Sequence, residues 1–189
     1  MSRRKQRNPS TGVKIAIAAA VGLAVFLIAR KAFGAQSDLI AKMSDKYKKK
    51  LTASKTANVK AIEEVFLAAD MPESLIAAAV ANAYHESSWN ASAAGDSGHS
   101  IGLFQLSDWG AGSGLSVEYR KDPRNNAKVI LEREVLTRRG KTLREAAAQG
   151  AGVGELAAIF SRDIERPADK EGNMASRKAL AEAMFPSLA

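Results

Sequence analysis

Apolar side chains recur at helical spacing from residue 56 onward. One stripe of such residues is followed by Asp70-Met71-Pro72, which ends a helix and starts another because proline suits the first helical position. A second stripe then leads toward Glu86, and further on the residues from Ile101 to Leu106 form a short strand-like run. The two helical stripes consist of Ala57, Ile62, Val65, Phe66 and Ala69, and of Leu75, Ile76, Ala79, Val80 and Ala83. The pattern predicts a mainly α fold with a short β-like insert.

One stretch nearer the start is uniformly apolar. The run from Ile15 to Ala29 holds fifteen residues without a charge, between Lys14 and the basic pair Arg30-Lys31. As a helix it spans about 22 Å at about 1.5 Å per residue, and snorkelling by the flanking basic side chains extends it toward the roughly 30 Å hydrocarbon core. We therefore expect a transmembrane helix over residues 13–34. A cleaved signal peptide and a buried core helix are the alternatives, although charges directly after the run disfavour cleavage.

The distribution of charge separates the chain into segments. The net charge is +8, but residues 1–60 carry 14 Lys and Arg against two acids, whereas residues 61–189 carry 14 against 18. A basic leader beside an apolar run is typical of contact with a membrane surface, so we expect a lipid membrane as a partner and no nucleic acid. The predicted segments are a basic tail over residues 1–12, the membrane helix over 13–34, a basic linker or helix over 35–55, and a helical domain over 56–189.

The residue types limit the available chemistry. The chain has no cysteine and two histidines, and no HExxH pattern is present. Disulfides and thiolate catalysis are therefore excluded, and a zinc site is not expected. We predict neither a metal nor a cofactor.

Glu86 is the most informative acidic residue. It follows Ala79 by seven positions and Ala83 by three, so it falls at the core-facing edge of a helix, near the helix end. The C-terminal end of a helix carries roughly half a negative charge, and a carboxyl group held there resists ionisation. Trp89 follows as a possible apolar shield. A glutamate that keeps its proton near neutral pH is a candidate general acid.

The residues around Glu86 resemble a known superfamily. Glu86-Ser87-Ser88-Trp89 is followed, about fifteen residues later, by Gly102-Leu103-Phe104-Gln105. This pairing resembles the lysozyme-like superfamily, most closely its goose-type, soluble lytic transglycosylase and phage tail-associated branches. The segment FSRDIERP, residues 160–167, is similar to a late helical segment of phage tail-type members. The resemblance covers roughly residues 62–185.

The resemblance implies an enzyme, a lytic transglycosylase or muramidase, that cleaves the β-1,4 bond between N-acetylmuramic acid and N-acetylglucosamine in peptidoglycan. Glu86 matches the catalytic acid of the superfamily, and Ser87 matches the residue that supports it. The motif expected to line the floor of the sugar groove consists of Gly102, Leu103, Phe104 and Gln105.

The second carboxylate decides between two mechanisms, which the sequence leaves open. Asp96, in a loop flanked by glycine, is the candidate for holding a water molecule, and Asp108 is the other option. An inverting hydrolase would separate its two carboxyl groups by roughly 6.5 to 9.5 Å. A lytic transglycosylase needs only Glu86, but the A-Y-N-x-G segment of many such lyases is missing. We also expect Ser87, His99 and Asp108 to contact substrate. Glu165 is expected to pair with Arg166 or with an earlier helix.

These patterns together predict a membrane-anchored enzyme that cleaves peptidoglycan. The resemblance to phage proteins suggests a virion-associated lysin that opens the cell wall locally during genome entry. Two alternatives are a lytic transglycosylase of a bacterial secretion or pilus assembly and a non-catalytic, membrane-anchored structural or sugar-binding module. The expected location is a virion membrane or the bacterial inner membrane, with the enzyme facing the periplasm.

Overall fold

The computed structural model describes residues 38–189. The predicted basic tail, residues 1–12, and the predicted membrane helix, residues 13–34, lie outside these described residues. Within the described part, no helix is long and apolar enough to cross a bilayer.

The described chain is mainly helical, as the sequence pattern predicts. Its α-helices, in chain order, are α1 Leu39–Lys42, α2 Asp45–Lys48, α3 Ala53–Ala68, α4 Glu73–Ser87, α5 Val117–Lys121, α6 Pro123–Ile130, α7 Lys141–Ala148, α8 Val153–Phe160 and α9 Lys170–Met184. Turns of 3₁₀-helix cover Asp96–Gly98 and Pro186–Leu188.

Side chains at the helix starts satisfy backbone N–H groups that have no partner inside the helix. The hydroxyl of Thr52 accepts from the N–H of Lys55 at 3.2 Å at the start of α3. Asp122 does the same for Asn125 at 2.8 Å, with Pro123 at the first position of α6. These local signals explain why α3 and α6 begin where they do.

Helix α4 forms the centre of the core. Every side chain from Leu75 to Ala83 is buried, including the amide of Asn82. The helix packs against α3, α8 and α9, and the many alanines of α4 allow these neighbours to approach closely. The last turn of this buried helix carries Glu86 toward the surface.

Helices α1 and α2 pack on the same core. Leu39, Met43 and Tyr47 are at most 5% exposed. The N–H of Leu39 donates to the carboxylate of Glu63 at 3.2 Å, and the N–H of Ser44 donates to the carbonyl of Met184 at 2.8 Å. The compact unit therefore begins at Asp38, ahead of the first helical stripe in the sequence.

The β-like insert is a small antiparallel sheet of order β1-β2-β3, formed by Ala94–Gly95, Ser100–Ile101 and Leu106–Ser107. Ala94 pairs with Ile101, which also pairs with Leu106. The run from Ile101 to Leu106 is thus two strand ends joined by a turn, and its interpretation as one strand is wrong. The reason is local, because Gly102 (φ +87°) and Gln105 (φ +45°) both adopt positive φ and reverse the chain.

This turn makes the glycine at position 102 necessary. A Cβ atom there would overlap the side-chain amide of Asn126 and the backbone carbonyl of Arg120. We expect Gly102→Ala to lower the free energy of unfolding by at least about 2 kcal/mol, because the strain of positive φ and the steric overlap add together. Thermal unfolding should show a Tm lower by roughly 4–8 °C for a domain of this size.

Gly114→Ala is the matched control. Gly114 also has positive φ, +76°, but open space surrounds its Cβ position. Gly114→Ala should therefore lower the free energy of unfolding only by the cost of positive φ, about 1 kcal/mol. An equal loss in both variants would contradict the steric explanation.

Candidate active site

Glu86 occupies a rigidly held helix end. Helix α4 stops at Ser87 because Ser88 turns into the left-handed region (φ +52°). Trp89 then folds back, fully buried, and its indole N–H donates to the carbonyl of Val80 at 2.9 Å. Asn58 of α3 donates to the carbonyl of Trp89 at 2.9 Å. The indole therefore belongs to the core that supports the end of α4.

A side-chain hydrogen bond links the two halves of the sequence motif. The hydroxyl of Ser87 lies 2.9 Å from the carbonyl oxygen of Ala83 and 3.0 Å from that of Leu103. Glu86 is thereby fixed relative to the turn after β2. This contact explains physically why the Glu-Ser pair and the Gly-Leu-Phe-Gln segment occur together.

The amide of Asn126 holds the other side of this turn. Its Oδ1 accepts from the N–H of Phe104 at 3.0 Å, and its Nδ2 donates to the carbonyls of Ile101 at 3.1 Å and Arg120 at 2.7 Å. Asn126 is fully buried. One side chain of α6 therefore fixes the shape of the turn.

The four motif residues divide between the pocket wall and the support beneath it. Phe104 and Gln105 line a pocket of about 130 Å³ together with Glu86. Gly102 and Leu103 are buried below, and the Gln105 amide donates to the carbonyl of Gly102 at 2.9 Å. The structure thus brings Glu86, Phe104 and Gln105 to one pocket.

Arg177 joins Glu86 to a second carboxyl group, that of Glu165. The Nη2 atom of Arg177 lies 2.5 Å from Glu86 Oε1 and 2.6 Å from Glu165 Oε2. The Arg177 side chain is 3% exposed, Glu165 11% and Glu86 23%. Both glutamates line the pocket. A buried guanidinium is thus shared by two carboxyl groups of which only Glu86 is substantially open to solvent.

The environment favours the neutral form of Glu165. Burial, followed by the nearby negative charge of Glu86, raises the pKa of Glu165 to about 8, although Arg177 opposes this shift. A carboxyl group with this pKa holds a proton at neutral pH. The pocket therefore contains a proton donor under physiological conditions.

Two π-helical turns bring acidic side chains to the pocket. Leu131–Val135 continues α6 and Ser161–Glu165 continues α8. In each turn a backbone N–H bonds five residues back, from Leu136 to Leu131 and from Arg166 to Ser161, at 2.8 Å in both cases. The acids that these turns carry to the pocket are Glu134 and Glu165. Such π turns often occur at functional sites.

The ion pairs near these turns differ from the sequence prediction for Glu165. Glu165 pairs with Arg177, which lies on the later helix α9, so pairing with Arg166 or an earlier helix is wrong. Arg166 instead lies 3.6 Å from the nearly buried carboxylate of Glu134, which also accepts from Arg139 at 3.0 Å. Glu134 is therefore neutralised by two arginines.

The other predicted site residues lie on the sheet and the loop after it. Asp96 is exposed in the 3₁₀ turn, where its Oδ2 accepts from the hydroxyl of Ser100 at 2.5 Å, and it does not line the pocket with Glu86. Asp108 Oδ2 lies 3.1 Å from His99 Nδ1. The roles suggested for Asp96, His99 and Asp108 stay predictions. Within residues 38–189, no cluster of three or more potential ligands could hold a metal ion.

Sequence reasoning missed Arg177 and Glu134 as members of the site. One signal for Arg177 was available, because Ala181 and Met184 lie four and seven residues further on and are buried on the same face of α9. A basic residue on a buried helical face needs an acidic partner. The identity of that partner is not a local property.

The described residues form a helical domain with a small sheet and a pocket that Glu86 and Glu165 line together. The model of the phage tail lysozyme family matches residues 57–188, and the chain belongs to this family. The resemblance to the lysozyme-like superfamily is thereby confirmed, and the protein is a phage-associated, lysozyme-like protein of peptidoglycan degradation. No curated protein and no solved structure matches the chain.

The raised pKa of Glu165 predicts a pH-dependent stability. Between pH 4.5, the usual pKa of this carboxyl, and about 8, the folded state holds a proton that the unfolded state has lost. The stability contributed by this group is therefore lost as the pH rises through that window. The Gln side chain of Glu165→Gln cannot lose a proton, so the Tm of this variant should not share the decrease. The difference between the Tm of the variant and that of the wild type should therefore rise by several degrees from pH 5 to pH 8, at roughly 2–4 °C per kcal/mol.

Glu171→Gln, at an exposed position near the start of α9, is the control for this comparison. It should follow the wild-type Tm across the range. Parallel Tm curves for Glu165→Gln and wild type would contradict the assignment of a buried, protonated Glu165.

Proposed function

We propose that this protein cleaves the β-1,4 bond between N-acetylmuramic acid and N-acetylglucosamine, with Glu86 as the acid that protonates the leaving oxygen. The observation that supports this most is the pocket in which Glu86 and Glu165 share Arg177 beside Phe104 and Gln105. Cleavage of a glycosidic bond needs a protonated carboxyl group at the leaving oxygen. Glu86 is the more exposed of the two acids and is the one that reaches a bound glycan.

Glu165 acts in this proposal through Arg177. Burial raises the pKa of Glu165 to about 8, so this carboxyl group is neutral at pH 7, while Arg177 keeps its positive charge. Both carboxyl groups contact the same nitrogen of Arg177. Glu86 is partly open to solvent, so the proton that it gives to the leaving oxygen is replaced from water. Glu165 is thus a positioning residue that holds Arg177 in place beside Glu86.

Replacement of the acid gives the direct test. We expect Glu86→Gln to lower the rate of peptidoglycan clearing by roughly 10² to 10⁴ fold, the usual contribution of a general acid. Turbidity loss of a cell-wall suspension and a zymogram measure this rate. Wild-type clearing by the purified, folded Glu86→Gln protein would overturn the proposal, as would no clearing by wild type.

Product analysis by mass spectrometry identifies the reaction within the same experiment. A lytic transglycosylase leaves 1,6-anhydro ends, whereas a muramidase leaves reducing ends. Asp96→Asn tests the second carboxylate, because a hydrolase that depends on Asp96 to hold water loses activity in this variant. Asp96 is exposed and bonds to Ser100, which makes the substitution tolerable for the fold.

The biological setting that we propose is local opening of the cell wall during phage genome entry. The membership in the phage tail lysozyme family favours this setting over a bacterial secretion or pilus assembly. The pocket favours catalysis over a purely structural role, because it brings the carboxyl groups of Glu86 and Glu165 together. Detection of the protein in purified virions supports the phage setting.

We also propose that residues 13–34 anchor the protein in a membrane. The support is the uncharged run from Ile15 to Ala29 and its basic flanks. After carbonate extraction, we expect the full-length protein in the membrane pellet and a chain that begins at Gln36 in the supernatant. Release of the full-length protein would contradict the anchor.

A further inference from the structure

Trp109 is the most exposed large apolar residue within residues 38–189. Its side chain is 75% exposed, against 44% for Leu136 and 38% for Tyr119. A single exposed apolar residue is ordinary on a protein surface. The surroundings of Trp109, however, hold its ring in a defined orientation.

One face of the indole is stacked and the other is free. The His99 ring lies 4.2 Å from the Trp109 ring, centroid to centroid, at an interplanar angle of 28°. His99 Nδ1 contacts Asp108 Oδ2 at 3.1 Å, and Arg120 donates to the carbonyl of His99 at 2.7 Å. The imidazole is thus held from both its ring and its backbone. It backs the indole, whose opposite face is open to solvent.

The loop that carries Trp109 is anchored as well. Arg133 donates to the carbonyls of Ala111 and Ser113, each at 2.9 Å. The N–H of Gly112 donates to the carbonyl of Ser107 at 2.8 Å. A preorganised aromatic face binds a ligand with a smaller loss of conformational entropy than a free side chain does.

The position of this face relates it to the Glu86 pocket. Gly110 and Ala111, the two residues directly after Trp109, line that pocket. The pocket volume of about 130 Å³ is small for a polymeric substrate, so further sugars of a glycan strand lie beyond it. A flat aromatic face on a residue next to the pocket lining suits the C–H face of a pyranose ring, because the indole carries negative charge density on its face.

We propose that the free face of Trp109 is a stacking subsite for an N-acetylhexosamine ring of the glycan strand, with His99 and Asp108 as positioning residues. This inference rests on the proposed function and extends it by naming the groups that hold the strand outside the pocket. His99 and Asp108 act through the indole and do not touch the sugar.

The tryptophan content of the chain permits a direct binding test. The full chain has two tryptophans, and the other, Trp89, is fully buried. In the full-length Glu86→Gln protein, in which turnover is slow, a titration with the tetramer of N-acetylglucosamine should change the Trp109 emission in a saturable way and protect it from iodide quenching. An unchanged emission and unchanged quenching at saturating sugar would overturn the subsite.

Variants measure the strength of the subsite independently of fluorescence. In an otherwise wild-type chain, Trp109→Ala should raise the KM for peptidoglycan about tenfold with little change in kcat, and Trp109→Phe should retain most of the affinity. Tyr119→Ala, which removes another exposed aromatic ring, is the control and should leave KM unchanged. A wild-type KM in Trp109→Ala contradicts the proposal.

The two proposals fail in distinguishable ways. If wild type clears cell walls while sugar leaves the Trp109 emission unchanged, the subsite is wrong and the proposed function stands. If sugar binds at Trp109 but wild type does not clear cell walls, the enzyme is wrong and the subsite stands. His99→Ala should weaken sugar binding less than Trp109→Ala does, and an effect equal to or larger than that of Trp109→Ala would contradict its positioning role.

Discussion

The buried guanidinium of Arg177 is the interaction on which the site depends. It connects the end of α4, the π turn after α8 and the body of α9 through its contacts with Glu86 and Glu165. Removal of one partner from a buried ion pair typically costs about 3–5 kcal/mol, because the remaining charge stays desolvated. The same contact therefore stabilises three helices and sets the charge of the pocket. Chemistry and stability are not separable at this position.

A second set of contacts, all uncharged, fixes the turn opposite Glu86. Ser87 reaches Leu103, while Asn126 bonds the backbone on both sides of Gly102. The Asn126 bonds are buried and the Ser87 bond is part-buried, so breaking an Asn126 bond would leave a costly unpaired group in the interior. The motif residues thus act as a unit. Phe104 and Gln105 line the pocket, and Gly102 and Leu103 support them from below.

The sequence predicts those parts of the fold that depend on neighbouring residues. Helices α3 and α4 follow from apolar periodicity, and the start of α6 follows from Asp122-Pro123. The interpretation of residues 101–106 as one strand is wrong because Gln105, a residue type that rarely adopts positive φ, does so in the turn. The pairing of Arg177 with Glu86 spans 91 positions and has no local signature. The spacing of the motif is enough to predict Glu86 as the acid. Its partner Arg177 can be identified only from the folded structure.

The π turn at Ser161–Glu165 has a consequence for comparing related chains. A π turn accommodates one more residue than a regular helix of the same length, and each residue of an α-helix rotates by about 100°. A relative that lacks this single residue would keep the buried face of α8 but direct the residue aligned with Glu165 to another side. A one-residue gap in this helix would then distinguish family members that have only the fold from members that also have a carboxyl group at the position of Glu165.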